Sequence, residues 1–184
     1  MLVGRNVVVR TVREADLDGL YDLIADVRTI GDHWPLTIGS ESGWIKQFRE
    51  NGWWTDDFGR MLVTDRGGKR LGYVNYYRAS HSYPGLEIGY RIFRPEERGK
   101  GIMSEAVGLF VAYLFSAKQF ERIQALAHPD NMGSRRVLER CGFSFEGILR
   151  RAHFDRGIYT DLAMYSILRG EAKPLAALLA SVDG

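Results

Sequence analysis

Near the start of the chain, "NVVVRTV" carries an apolar run of β-branched residues that predicts a first strand. The period then changes. Leu17, Leu20, Tyr21, Ile24 and Val27 recur at helical spacing, and "TVRE" from Thr11 to Glu14 has the form of a capping box ahead of them. Gly31 and Pro35 in "GDHWPLTIG" end that helix, and a second helix is predicted from about Ser40 to Asn51. "RMLVTD" and "RLGYVNYYR", joined by "RGGK", read as a hairpin, and "GLEIGYRIF" reads as a further strand. The clearest helix puts Met103, Ala106, Val107, Phe110, Val111, Leu114 and Phe115 on one face. "RIQALAH" is a buried-type strand, Asn131 is placed to cap the helix "MGSRRVLERC", and Gly142 stands where a C-terminal cap glycine belongs. "FSFEGILRRAHF" and "IYTDLAMYSIL" complete the pattern as two strands joined by "DRG". The expectation is a mixed sheet with helices packed on it, in one α/β or α+β domain.

Composition narrows the function without naming it. The 184 residues suffice for one domain with a substantial core. A net charge of +2, from 25 basic and 23 acidic residues with the arginines scattered among carboxylates, argues against nucleic acid as a partner. The single cysteine, Cys141, excludes an intrachain disulfide and speaks against a cysteine-based metal site. It is expected to be a buried small hydrophobe. The apolar run before Arg10 is too short for a secretory signal, and no apolar segment approaches bilayer length. A cytoplasmic, soluble protein with no membrane partner and no metal is therefore expected.

"FRPEERGKGIMSEA", Phe93 to Ala106, carries the chemistry. A glycine-rich turn feeding a helix N-terminus offers unpaired N–H groups and a positive dipole end, which together attract phosphate. A nucleotide P-loop would need Ser or Thr directly after its Gly-Lys, but Gly101 follows Lys100. A dinucleotide fingerprint would need a third glycine where Ser104 stands and an acid at the end of the next strand, which ends in His128.

"RGKGIMSEA" after the strand "LEIGYRIF", with "NMGSRRVLERCGFSFEGILR" downstream, resembles the GNAT superfamily of acetyl-CoA-dependent N-acetyltransferases. The similarity is greatest to the branch that acetylates N-termini of ribosomal proteins, and it runs from "VVVRTVREADL" to "DLAMYSIL". The general pattern has Gln or Arg three residues before the first glycine; this chain has Glu96, with Arg98 keeping basic character beside Gly99. The resemblance implies a mixed, mostly antiparallel sheet flanked by helices. It implies one acetyltransferase domain over 1–184, with its core at about 5–170 and a short C-terminal helical tail, as a monomer or homodimer. It further implies acetyl-CoA as donor, its pyrophosphate held by the backbone of Arg98, Gly99, Lys100, Gly101, Ile102, Met103 and Ser104. Arg98 and Lys100 would add positive charge at the rim, and the backbone of Ile92 and Phe93 would hold the pantetheine arm and the thioester carbonyl.

On the same resemblance Asn131 hydrogen-bonds the arm and Ser134, one helical turn on, reaches the sulfur as proton donor or positioner. The competing readings are a helix cap for Asn131 and a first-turn residue for Ser134. Two residues compete as general base. Glu87 would be raised towards neutrality by partial burial, unless it pairs with Arg91 on the same strand face. His153 is an imidazole where some ribosomal-protein acetyltransferases carry an acid. Tyr90 stands third and is placed with Trp34, beside Pro35, in the amine-binding cleft. The acceptor is a primary amine, either a protein N-terminus or a small molecule. An inactive CoA-binding sensor or assembly module is the alternative.

Overall fold

Eight strands form one sheet in the computed structural model, which describes residues 1–180. The strands are β1 (Leu2–Val3), β2 (Val7–Thr11), β3 (Phe58–Asp65), β4 (Arg70–Arg78), β5 (Leu86–Ile92), β6 (Arg122–Ala127), β7 (Ser144–Asp155) and β8 (Ile158–Leu168). Their spatial order is β1-β2-β3-β4-β5-β6-β8-β7, and only β5 and β6 pair in parallel. The helices are α1 (Leu20–Ala25), α2 (Val27–Ile30), α3 (Glu41–Asn51), α4 (Ile102–Ala117) and α5 (Met132–Arg140). The expected mixed, mostly antiparallel sheet flanked by helices is the fold observed.

Alternation along the strands sorts the apolar residues into two layers. On one face Met61 and Val63 of β3 and Leu86 and Ile88 of β5 pack with Ala106, Val107 and Phe110 of α4. On the other, Leu62 and Phe93 join Leu20, Phe48, Trp53 and Tyr73 beneath α1 and α3. α4 lies in the connection between β5 and β6, so the glycine turn before it opens at the centre of the sheet. α5 ends as its glycine predicts: Gly142 sits at φ +91°, with Phe143 N–H on Leu138 O and Gly142 N–H on Glu139 O, a Schellman motif.

Two local expectations fail, and a third takes a particular form. Thr11 lies in β2 opposite Met61, so it caps nothing; the Arg13 N–H is instead accepted by Asp16, whose carboxylate also holds Arg10 at 2.6 and 2.8 Å. The predicted single stripe from Leu17 to Val27 is divided: Leu17 closes a 3-10 turn at Glu14–Asp16, and the rest falls in α1 and α2. Gly19 at φ +66° starts α1, and Asp26 caps α2 by accepting from Arg28 N–H. The expected helical tail is two 3-10 turns, Arg169–Glu171 and Leu175–Ala177, within the described residues; residues 181–184 lie outside them. Among the described residues no helix is long and apolar enough to cross a membrane, and no group of three His, Cys, Asp or Glu is placed to hold a metal ion.

Candidate active site

β5 and β6 pair only from Leu86–Ile123 to Ile88–Ala125. Beyond that point each keeps its outer neighbour, β5 pairing with β4 as far as Ile92 and β6 with β8 as far as Ala127. The sheet therefore splits in its middle. A cleft of about 610 Å³ follows the split, lined by the glycine turn, α5 and the segment after α2.

At the glycine turn, Gly99 and Gly101 have φ +76° and +78°, and a Cβ built on either would meet no atom within 4 Å. Only glycine adopts that backbone without strain, and the space beside it stays free for a ligand. The N–H groups of Gly99 to Ser104 make no intramolecular hydrogen bond among the described residues, as expected of a helix start. Ser104 Oγ is buried there without a partner. This is a fitting cradle for the pyrophosphate of CoA.

Two details differ from the sequence reading. The Arg98 N–H donates to Pro95 O, so Arg98 offers its guanidinium and not its backbone. Lys100 is outside the cleft, its ammonium 2.8 Å from Glu97, whose carboxylate also meets Lys69. Those two lysines hold the Glu97 carboxyl down at about 2. Positive charge at the cleft comes instead from Arg98 with Arg136 and Arg140, an i, i+4 pair on α5. The run "SRRVLER" carried that signal unread.

Ile92, Ile102 and Met103 line the cleft, whereas Phe93 does not. Phe93 is buried in the opposite core layer, and its N–H is bound to Leu71 O. Bonded and unbonded positions alternate along an antiparallel ladder, so the Ile92 backbone faces the side that β6 has left. The expected Ile92–Phe93 pair thus reduces to Ile92.

Asn131 and Ser134 both line the cleft. Asn131 does cap α5, its Oδ1 accepting from Ser134 N–H at 3.0 Å, which leaves its amide nitrogen for another acceptor. Tyr90, across the split, sets its hydroxyl 2.8 Å from Ser134 Oγ and 3.1 Å from Ser134 O. Burial pushes the Tyr90 phenol well above its usual range, so it stays protonated near neutrality and is a donor, not a base. Cys141 is set back from the cleft with its thiol on Ser104 O at 3.2 Å, and burial raises that thiol to about 12, fitting the inert role expected.

Glu87 opens on the other face of the sheet. Burial raises its pKa, while Gln124, donating to Oε2 at 2.9 Å, partly opposes the rise. The alternative pairing with Arg91 is absent: Arg91 donates to Ile24 O and Thr29 Oγ1, tying β5 to α1 and α2. Gly89 leaves a floor between Tyr77 and Trp34, since a Cβ there would lie 3.7 and 3.9 Å from those rings. His153 reaches the cleft because β7 bulges between Leu149 and His153, with Arg151 at φ +50° and its N–H on Asp161. Sequence reasoning gave no role to Tyr77, nor to His33 and His128, which stack with ring centres 4.8 Å apart at the cleft wall.

The family model for the GNAT acetyltransferase domain matches residues 6–144. The chain belongs to the GNAT acetyltransferase family. Among GNAT relatives, it is 28% identical over 176 residues to the probable N-acetyltransferase YjcK of Bacillus subtilis, covering 91% of this chain and 97% of that protein. It is 27% identical over 175 residues to the putative ribosomal N-acetyltransferase YdaF of Bacillus subtilis, covering 92% and 94%. In fold it is similar to the spermidine N-acetyltransferase of Vibrio cholerae solved with CoA and spermine, with TM-score 0.77, 22% identity and coverage of 90% and 96%. As a GNAT protein it is an acyl-CoA N-acetyltransferase, with acetyl-CoA as donor.

Proposed function

We propose that this enzyme acetylates a primary α-amine at a protein or peptide N-terminus, by direct transfer within a ternary complex. The observation that carries the proposal is the split between β5 and β6, which joins a donor face bearing Gly99–Ser104 and Ser134 to an opposite face bearing Glu87 and Trp34. CoA enters along the first face, with its phosphates at the glycine turn and near Arg98, Arg136 and Arg140. The amine enters on the second, between Trp34 and Tyr77. The Ile92 N–H donates to the thioester oxygen, where negative charge grows in the transition state. The amine nitrogen attacks the carbonyl carbon; as the C–N bond forms, Glu87 or His153 takes the amine proton, directly or through water. The C–S bond then breaks, and Ser134 Oγ donates a hydrogen bond or its proton to the departing thiolate.

The α-amine is favoured over a polyamine on two grounds. The carboxylates lining the cleft are Asp32 and Glu87, whereas a multiply charged amine calls for more acids. An α-amino group also loses its proton at about 7.7–8.0 against about 10.4 for a lysine-like amine, so a weak base suffices. YdaF carries a ribosomal description and the Vibrio protein a spermidine one, and the acid count favours the first. Release of free CoA from acetyl-CoA should be followed with peptides bearing free α-amines, N-blocked lysine peptides and spermidine. Turnover is expected with the first group. Turnover with spermidine alone would refute the acceptor assignment, and tight CoA binding without release would favour an inactive CoA-binding module.

A further inference from the structure

Residues 31–36 connect α2 to the approach of α3 and bring His33 and Trp34 to the cleft. This segment is neither helix nor strand, and it is gripped by the two-residue turn between β7 and β8. The Arg156 guanidinium donates to Gly31 O at 2.8 Å, Asp32 O at 3.2 Å and Trp34 O at 3.3 Å. Asp155 Oδ1 accepts the Leu36 N–H at 2.9 Å, and the Asp155 carboxylate also pairs with Arg156. The Leu36 N–H, with Arg156 adding to it, holds the Asp155 carboxyl below its ordinary value. The turn is itself constrained, with Arg156 at φ +47° and Gly157 at φ +82°, the left-handed pair that a tight hairpin requires.

Arg156 does not line the cleft. Its effect reaches the cleft through the carbonyls on either side of His33. A guanidinium suits this task, because it presents five donors in a fixed plane. On the inner side His33 stacks on His128 at the end of β6, so the segment is anchored at two places that border the split.

We infer that Arg156, braced by Asp155, is a positioning residue of this acetyltransferase that fixes the acceptor wall. It holds Trp34 and His33 at the mouth where the amine enters, and it acts on acceptor affinity more than on donor affinity. The inference rests on the proposed entry of the amine beside Trp34.

Steady-state kinetics on R156A and R156K, with amide hydrogen exchange, test it. In R156A the acceptor KM should rise about tenfold, which corresponds to about 1.4 kcal/mol of lost acceptor binding. The KM for acetyl-CoA and the melting temperature should stay as in wild type, and the amides around Leu36 should exchange faster. R156K should recover part of the acceptor KM, since an ammonium reaches one or two of the three carbonyls. An acceptor KM changed by less than about twofold, or equal rises in both KM values, would overturn the inference. If wild type transfers acetyl to no amine, the proposed function fails by itself. The exchange arm still judges the clamp, because unchanged exchange of the Leu36 amide in R156A would refute it.

Discussion

The Tyr90 hydroxyl lies 2.8 Å from Ser134 Oγ, bridging β5 to α5 across the split. A phenol has one proton and two acceptors here, Ser134 Oγ and Ser134 O. Given to Oγ, that proton frees the serine hydrogen to point at the CoA sulfur. The pairing therefore orients the group proposed to meet the leaving thiolate. Ser134→Ala should lower kcat by about 10²–10⁴-fold if the serine donates the proton. Tyr90→Phe should cost only the worth of one hydrogen bond, about 0.5–1.5 kcal/mol or several-fold in kcat, with acetyl-CoA affinity unchanged. The double variant should be no slower than Ser134→Ala, and additive losses would show that Tyr90 acts on something else.

At the glycine turn, Gly101→Val forces a β-branched side chain into φ +78° and into the open space beside the α4 N-terminus. CoA affinity is expected to collapse while circular dichroism keeps the native shape, because the backbone strain, about 1–2 kcal/mol, is small against domain stability. Calorimetric titration of CoA into the folded variant decides it. Unchanged affinity would remove the pyrophosphate from this turn.

A raised carboxyl pKa leaves a trace in the pH profile. If Glu87 is the base, it must be ionised to act, so kcat falls as pH drops through a value above the ordinary glutamate range. Glu87→Gln should flatten that limb. Gln124→Ala should move it to higher pH, since Gln124 stabilises the charged form. Two acceptors of different basicity separate the enzyme's limb from the amine's own. Loss of the limb in His153→Ala, with Glu87→Gln retaining it, would pass the role to His153.

Glu97 predicts a stability effect with the opposite sign of shift. Lys100 and Lys69 depress its folded pKa to about 2. The stabilisation is complete above the unfolded value near 4.5 and is lost as pH falls through about 2. Urea denaturation should find Glu97→Gln less stable than wild type at neutral pH, with the gap closing between pH 5 and 2. A gap that is independent of pH would mean packing, not charge, at this site.

Much of this was legible along the chain because the signals were local. The α4 stripe, the left-handed glycines of the turn, the Asn131 cap and the Gly142 motif each depend on residues within a turn or two of one another. What was misread depends on distant partners. Thr11 looks like a cap only until Met61 of β3 is known to lie opposite it. Phe93 reads as part of the donor site only while its N–H partner, Leu71 on β4, is out of view. Lys100 looked free until Lys69 and Glu97 joined it. Tyr90 and Ser134 are 44 positions apart, and Arg156 is 122 from Trp34, so no period or motif links either pair. The β7 bulge that delivers His153 leaves no mark in "LRRAH", since nothing in those letters demands φ +50° at Arg151.

The split between β5 and β6 also dictates the shape of any molecule that would block both halves of the reaction. An inhibitor tethering a peptide to CoA could not lie along one surface; it would pass through the sheet like a rivet, with a head on each side. Its waist must pass beside Ile92, where β5 and β6 have parted. A linker carrying a branch at that point should therefore lose affinity, even though both heads remain intact.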